Sequence, residues 1–266
     1  MTISEALKKY KNIEADLLLG AVLKQSKEFL YMHPQKALTA TQTKKFLDMI
    51  KKRKTGVPVA YLVGYKYFYG LEFKVNEHVL IPRPESEWLV DETLKILNQK
   101  LKRKSNAILK VLDVGTGSGC LAISIAKNLN KKQVKVFATD ISAKALAIAE
   151  ANAKNNKVRI KFAKHDLFSG VKGGFDVIVA NLPYVPVSDY KKFYKNLKYE
   201  PKLALTDNSD NFHLIYNFLE EAPKSLNRGG RILIEADPKF FKKFKHTIIK
   251  IKQDIHKLDR FAEITL

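Results

Sequence analysis

Residues 111–119 read Val-Leu-Asp-Val-Gly-Thr-Gly-Ser-Gly, an apolar run that ends in a glycine-rich turn. Further apolar runs follow it and alternate with helix-like segments. The apolar runs occupy 108–114, 134–140, 158–163, 174–180 and 230–236, and the helix-like segments occupy 119–129, 142–155, 210–226 and 238–252. Strand alternating with helix predicts a doubly wound α/β sheet, with a last strand at Phe261–Leu266.

The segment before this sheet has a different pattern. Apolar side chains recur near helical spacing from Leu7 to Ile50, which predicts a small helical bundle. Glycine and proline then break any helix, and a short hairpin is expected around Asn76. We therefore predict an N-terminal helical domain over residues 1–72, a hairpin and linker over 73–86, and an α/β domain over 87–266.

The composition indicates a soluble protein with a substantial core. The chain has 266 residues, of which 45% are hydrophobic. Its single cysteine, Cys120, excludes an internal disulfide, which fits a reducing compartment. The sequence shows neither a signal-peptide pattern nor an apolar stretch of the roughly 18–20 residues that a membrane span needs. We therefore expect a cytoplasmic protein.

The charge balance is strongly basic. The formal net charge is +21, from 48 Lys and Arg against 27 Asp and Glu. Such an excess attracts polyanions such as RNA or a ribosome-bound partner. The lysines are spread along the chain, however, so the excess also fits solvated helix faces and a compositional bias. Both interpretations of the charge stay open. Lys-rich faces disfavour self-association, so a monomer is expected.

The glycine-rich turn predicts a ligand site. Gly115, Gly117 and Gly119 lie between a strand and a helix, where glycine permits positive φ and a close approach of ligand to backbone. Their GxGxG spacing differs from the dinucleotide pattern GxGxxG. Asp113 would repel a phosphate but attract an ammonium or a sulfonium. S-adenosylmethionine carries both cations and no phosphate, so it is the predicted ligand.

Carboxylates at the ends of the next two strands extend this prediction. Asp140 lies about 20 residues beyond the turn, where a carboxylate can accept both ribose hydroxyls of an adenosine. Asp166 and Leu167 follow the third strand and could hold the adenine. Each feature alone also fits a tight turn or a helix cap. Together they mark consecutive strand ends, where open α/β sheets bind ligands.

A second turn, Asn181-Leu182-Pro183-Tyr184, ends the strand predicted at 174–180. Pro183 restricts the backbone before it, so the Leu182 carbonyl points in one direction. The Asn181 side-chain oxygen and this carbonyl could accept both hydrogens of a primary amide or exocyclic amine, and Tyr184 could stack on the planar group. We expect these four residues to orient a nitrogen for methyl transfer. The alternative is a simple proline turn.

Four further segments carry a family resemblance, namely GVPVAYLVG at 56–64, FYGLEFKV at 68–75, VLIPRPESE at 79–87 and YEPKLAL at 199–205. With these segments the chain resembles the HemK/PrmC family, whose members are class I S-adenosylmethionine-dependent methyltransferases. They methylate the glutamine side-chain nitrogen in the Gly-Gly-Gln loop of class I peptide chain release factors. The resemblance covers nearly the whole chain and implies a Rossmann-like catalytic domain after a helical domain that docks the protein substrate.

The resemblance also implies roles for individual residues. Cofactor contacts are expected from Gly115, Thr116, Gly117, Ser118, Gly119, Asp140, Leu167 and Asn181, and the residues from Asn181 to Tyr184 are expected to bind the substrate glutamine. Two positions depart from the family. Leu182 stands where the family usually has proline, and Leu167 stands where it often has tryptophan.

Three alternatives stay open at this point. Asn-Leu-Pro-Tyr is also typical of ribosomal RNA adenine dimethyltransferases, so the turn and the basic charge allow methylation of amino groups in RNA or DNA. A glutamine of a ribosomal protein is a second possible substrate. A non-enzymatic protein that retains a degenerate cofactor site is the third, suggested by Leu182 and Leu167.

Overall fold

A computed structural model describes residues 1–11, 13–103, 108–129, 132–243, 249–254 and 256–265. The chain divides into two compact units, Met1–Tyr65 and Lys66–Leu266. The first unit therefore ends at Tyr65, whereas the sequence analysis ended the N-terminal domain at residue 72. None of the helices within the described ranges combines the length and the apolar character needed to cross a membrane.

The first unit is a bundle of short helices around its own core. Its helices are α1 (Ile3–Lys9), α2 (Ala15–Leu23), α3 (Lys27–Met32), α4 (Ala40–Lys54) and α5 (Val59–Val63). Thr2 and Thr39 begin α1 and α4 with capping boxes, in which each threonine and the residue three positions later satisfy one another's backbone N–H groups. Leu18, Leu19 and Phe46 are fully buried between the helices, so the predicted bundle is present.

A hairpin and an irregular segment begin the second unit. Strands β1 (Tyr65–Phe68) and β2 (Leu71–Lys74) are joined at Tyr69 and Gly70, whose φ angles of 51° and 71° suit a tight hairpin turn. The prediction of a hairpin around Asn76 was wrong, because the positive-φ turn lies at Gly70. Residues 75–83 have no regular structure, and a short 3-10 turn then leads into α6 (Glu87–Arg103).

The second unit contains a seven-stranded sheet in the order β5-β4-β3-β6-β7-β9-β8. Its strands are β3 (Leu109–Val114), β4 (Val134–Asp140), β5 (Lys161–Lys164), β6 (Phe175–Asn181), β7 (Leu226–Glu235), β8 (Ile249–Gln253) and β9 (Asp259–Thr265). Strands β3 to β7 are parallel, and β9 runs antiparallel to β7 and β8. The predicted doubly wound sheet is confirmed.

Helices complete the second unit. They are α7 (Cys120–Lys127), α8 (Ala143–Asn155), α9 (Val187–Lys192), α10 (Tyr194–Leu197), α11 (His213–Glu221) and α12 (Pro238–Lys243). The helix predicted over 238–252 was wrong from Ile249 onward, since Ile249–Gln253 forms β8 at the sheet edge, and its part over 244–248 lies outside the described residues. Isoleucine alternates with lysine there, which is the period of a strand, and lysines are typical of edge strands. The end of the last predicted strand, Leu266, lies outside the described residues.

Alternate side chains of the central strands enter two separate cores. Val111 and Val177 pack in one core with residues of α6 and α7, whereas Leu112 and Ile178 pack in the other with residues of α11. Each such fully buried aliphatic side chain stabilises the fold by roughly 1.5–3 kcal/mol. Helices therefore cover both faces of the sheet, and ligand-binding residues must lie at the strand ends.

Candidate active site

The main cavity of the second unit lies at the carboxyl ends of β3, β4 and β6. Strand β3 has β4 on one side and β6 on the other, so the strand order reverses there. Ligands of open α/β sheets bind at such a reversal. The walls are formed by 78–83, by the glycine-rich turn, by the residues after β4, β5 and β6, and by 201–204.

The glycine-rich turn forms one wall of this cavity. Gly115, Gly117 and Gly119 have φ angles of 74°, 55° and 81°, which L side chains rarely adopt. A Cβ at Gly115 would lie 2.9 Å from Leu182 Cδ2, whereas a Cβ at Gly117 would meet no atom within 4 Å. Gly117 therefore exposes its backbone to open space, and Gly115 lets the turn pack directly against Leu182.

Asp113 lies beneath the turn. Its side chain is fully buried, and Oδ2 accepts hydrogen bonds from the Thr116 hydroxyl at 2.7 Å and the Ala122 N–H at 3.2 Å. Burial raises the pKa of this carboxyl to about 7, although both hydrogen bonds oppose the change. Asp113 is absent from the described residues that line the cavity, so it braces the turn and does not sit at the predicted point of ligand contact.

Asp140 ends β4 and lines the cavity, as its position in the sequence suggested. Its Oδ2 accepts a hydrogen bond from the Gly117 N–H at 2.8 Å, and its Oδ1 accepts one from the Ser142 N–H at 2.8 Å. Burial raises the pKa of Asp140, while these backbone N–H groups lower it. The carboxylate has about four acceptor positions, so it keeps acceptor capacity for a hydroxyl. The helix cap of α8 is Ser142, so Asp140 is not needed for that purpose.

Further predicted residues lie on the same cavity. Asp166 and Leu167 line it after β5, and Leu167 has a positive φ of 46°. Thr116 and Ser118 also line it, although their side chains are almost completely buried. Leu167 and Ile141 both line the cavity, and their apolar side chains could contact a flat ring.

The residues of the second predicted turn have different surroundings. Asn181, Leu182 and Pro183 line the cavity. The lining found among the described residues does not include Tyr184, whose hydroxyl donates to Glu235 Oε1 at 2.8 Å. The Arg260 guanidinium lies 5.8 Å from the Tyr184 ring centroid. The ring is therefore not placed for the predicted stacking on a substrate.

Glu235 and Ser86 are the site residues that the sequence reasoning missed. The Asn181 Nδ2 donates to Ser86 Oγ and to Glu235 Oε2, each at 2.9 Å, and the Ser86 hydroxyl donates to Glu235 Oε2 at 2.5 Å. Glu235 is 2% exposed, and burial raises its pKa while its hydrogen-bond donors lower it. A carboxylate at the end of an otherwise apolar strand was the available signal.

A half-buried ion pair connects two other walls of the cavity. Glu200 is 7% exposed, and it pairs with the Arg83 guanidinium at 2.5 Å. Its second oxygen accepts a hydrogen bond from the Ile81 N–H at 3.1 Å. Both residues belong to segments that carry the family resemblance. Glu200 thus fixes the segment 79–83 against the segment that begins at Pro201.

Known proteins match the chain along both units. The family model for the PrmC N-terminal domain matches residues 3–64, and the Methyltransferase small domain matches residues 86–197. A release factor glutamine methyltransferase of Rhodopirellula baltica is 38% identical over 231 residues, covering 85% of this chain and 77% of the relative. The chain belongs to the release factor glutamine methyltransferase family. A member from Flavobacterium psychrophilum is 36% identical, covering 93% of this chain and 89% of its own length.

Solved structures agree on the fold. The catalytic domain of hMettl16, crystallised in complex with the MAT2A 3'UTR hairpin 6, matches with a TM-score of 0.52. The match covers 85% of this chain and 81% of that chain at 11% identity, so it supports the fold alone. The sheet is that of class I methyltransferases, as the resemblance implied, and the cavity lies where this fold binds its ligands.

Proposed function

We propose that this protein transfers a methyl group from S-adenosylmethionine to the side-chain amide nitrogen of the glutamine in the Gly-Gly-Gln loop of class I release factors. The observation that carries the proposal is the Asn181 amide. Its nitrogen donates to the neighbouring oxygens of Ser86 and Glu235, so its oxygen is the end of the amide that is turned away from β7. An acceptor at the cavity fits a substrate that presents an N–H group.

The residues around the glycine-rich turn fit the proposed cofactor. Gly117 leaves open space above its backbone, and Asp140 holds a carboxylate at the cavity beside it. This carboxylate suits the two ribose hydroxyls, and the side chains of Ile141 and Leu167 suit the adenine faces. The bound cofactor would supply a methyl group on a positively charged sulfur. The buried Asp113 stabilises the turn and needs no contact with the cofactor.

Asn181 and the following backbone would orient the nucleophile. An amide nitrogen is a poor nucleophile because its lone pair is delocalised into the carbonyl. The Asn181 oxygen and the Leu182 carbonyl can accept both N–H hydrogens, which directs the lone pair toward the methyl group and stabilises positive charge as it develops on nitrogen. Leu182 is 6% exposed and packs into the core beside Gly115, so its side chain is accommodated in place of the usual proline.

We propose further properties of the protein in the cell. Its partners would be class I release factors in the cytoplasm, docked in part by the helical unit, and it would act as a monomer. Its basic surface would also contact ribosomal RNA weakly. Between 187 and 202, five lysines are exposed close to the cavity-lining residues Pro201 and Leu203, namely Lys191, Lys192, Lys195, Lys198 and Lys202.

A substrate comparison tests the function. The protein is incubated with labelled S-adenosylmethionine and, in separate reactions, a class I release factor, ribosomes and oligonucleotides. We expect label in the release factor. Label confined to RNA or to a ribosomal protein would refute the proposal. Methylation of nucleic acid is not favoured, because the family match extends through the helical unit and the relatives named above are release factor enzymes.

A further inference from the structure

Glu235 is a buried carboxylate that receives three side-chain hydrogen bonds at the end of β7. The donors are the Ser86 hydroxyl, the Asn181 Nδ2 and the Tyr184 hydroxyl. Those described residues that line the cavity do not include Glu235. It lies behind Asn181 and Ser86, which both line the cavity, so its effect on a substrate passes through these side chains.

The direction of these bonds fixes the Asn181 amide. A carboxylate can only accept, and the Ser86 hydroxyl gives its one hydrogen to Glu235. Both oxygens therefore face Asn181 as acceptors, and Nδ2 donates to this pair. A 180° rotation of the amide would set Asn181 Oδ1 against Glu235 Oε2 with no hydrogen between them. The oxygen of Asn181 is consequently held away from β7.

The surrounding charges are compatible with an ionised Glu235. Burial and the negative charge of Glu85 raise its pKa, whereas the Ser86 and Tyr184 hydroxyls and the positive charge of Arg260 lower it. The net effect is a raised pKa. In the ionised form both oxygens act only as acceptors, which matches the three donors around them.

We propose that Glu235 and Ser86 are positioning residues that make the cavity select a carboxamide over a carboxylate. The inference rests on the proposed function. With the Asn181 amide fixed, the cavity presents its side-chain oxygen beside the backbone carbonyl of Leu182, and both atoms are acceptors. A glutamine offers them two N–H hydrogens. A glutamate at the same place offers only oxygens and is repelled.

The isosteric variant Glu235→Gln tests the positioning. Its new NH2 group opposes one of the three donors, which frees the Asn181 amide to rotate. We expect kcat on the release factor to fall ~10–100-fold, as for loss of an oriented polar contact in a transition state, while the cofactor Kd changes less than about threefold. A release factor with Glu in place of the loop glutamine should inhibit the wild-type enzyme poorly as a competitor of the normal substrate. It should inhibit the Glu235→Gln variant better.

A matched pair at position 86 covers the case in which Glu235→Gln does not fold. Ser86→Thr keeps the hydroxyl and should retain nearly full kcat, whereas Ser86→Ala removes it and should lower kcat in the same direction as Glu235→Gln. Equal activity of both Ser86 variants would overturn the proposal, and so would an unchanged kcat in a folded Glu235→Gln variant. A structural role alone would lower the melting temperature without changing the glutamine-to-glutamate selectivity.

Side-chain amide NMR provides a readout that does not depend on activity. In protein labelled with 15N-asparagine, the Asn181 NH2 signals are assigned by their loss in Asn181→Ala. We expect slow hydrogen exchange of these signals in the wild type and fast exchange in Glu235→Gln. Unchanged exchange would refute the positioning. If the wild type failed to methylate any release factor while its Asn181 NH2 stayed protected, the proposed function would fail and the amide orientation would stand.

Discussion

The position of the Asn181 side chain follows from its local sequence, whereas the orientation of its amide depends on the fold. Its place before a proline, at the end of an apolar strand, was sufficient to predict a polar side chain at the cavity. The partners of its amide lie 95 positions earlier, at Ser86, and 54 positions later, at Glu235. No local pattern joins such distant residues, so the orientation of the amide could not be predicted. The hydrogen bond from Tyr184 to Glu235 could not be predicted for the same reason.

Asp140 gives a prediction about cofactor affinity. Asp140→Ala removes the carboxylate beside Gly117, and each hydrogen bond to a charged group is worth about 1.5–3 kcal/mol. We expect the S-adenosylmethionine Kd, measured by calorimetry, to rise ~10–100-fold. Asp48→Ala, a change to an exposed carboxylate of the helical unit, is the control and should leave the Kd unchanged. Equal affinity of the two variants would show that Asp140 does not hold the cofactor.

Asp113 gives a prediction about pH. Burial raises its pKa to about 7 from the ordinary value of 3.8, so the folded protein holds this proton more tightly than the unfolded chain. The resulting cost to stability is absent below pH 3.8, grows as pH rises, and is complete above about pH 7. In urea unfolding at several pH values, Asp113→Asn should gain stability relative to the wild type between these limits. A difference independent of pH would contradict this assignment.

At the scale of elements, patterns of period two and period 3.6 were most informative where an element is long and buried. The central parallel strands and the glycine-rich turn follow from such patterns. Strand β8 did not, because its alternating isoleucine and lysine were interpreted as the end of the helix predicted over 238–252. The hairpin was misplaced because its turn depends on the conformation of Tyr69 and Gly70. Contacts between turns, such as the one between Gly115 and Leu182, depend on which strands are neighbours in the sheet, so local patterns do not predict them.

The contact between the two cavity turns predicts different effects for two similar substitutions. Gly115→Ala adds a Cβ 2.9 Å from Leu182 Cδ2 at a positive φ, whereas Gly117→Ala has the positive φ alone. We expect Gly115→Ala to cost more stability than the ~1–3 kcal/mol of backbone strain expected for Gly117→Ala. Gly117→Ala should chiefly weaken cofactor binding. Denaturant unfolding and calorimetry separate the two effects, and the reverse order of stability would refute the close contact.

At the scale of the whole molecule, composition limited the function without deciding it. The charge of +21 allowed both RNA and protein substrates. The resemblance across both units, supported by the family match over 3–64, decided for a release factor enzyme. The basic charge is not explained by the family match, and the exposed lysines between 187 and 202 lie next in the sequence to the cavity-lining residues Pro201 and Leu203.

These lysines predict a salt-dependent interaction. Replacement of Lys191, Lys192 and Lys195 by serine should weaken binding to ribosomal RNA and flatten the dependence of affinity on salt, because fewer counterions are released. Since the three side chains are exposed and do not line the cavity, cofactor affinity should not change. Fluorescence anisotropy at several salt concentrations measures the effect. An unchanged salt slope would remove these lysines from any RNA contact.

The central claim is that Asn181 presents a release factor glutamine for methylation. Its most direct test is mass spectrometry of a class I release factor after incubation with S-adenosylmethionine and either the wild type or Asn181→Ala, with the exposed change Asn196→Ala as control. We predict one added methyl group on the glutamine of the Gly-Gly-Gln loop with the wild type and the control. With Asn181→Ala we predict a rate lower by ~100-fold or more and near-normal cofactor binding. Methylation at another residue, or full activity of Asn181→Ala, would contradict the claim.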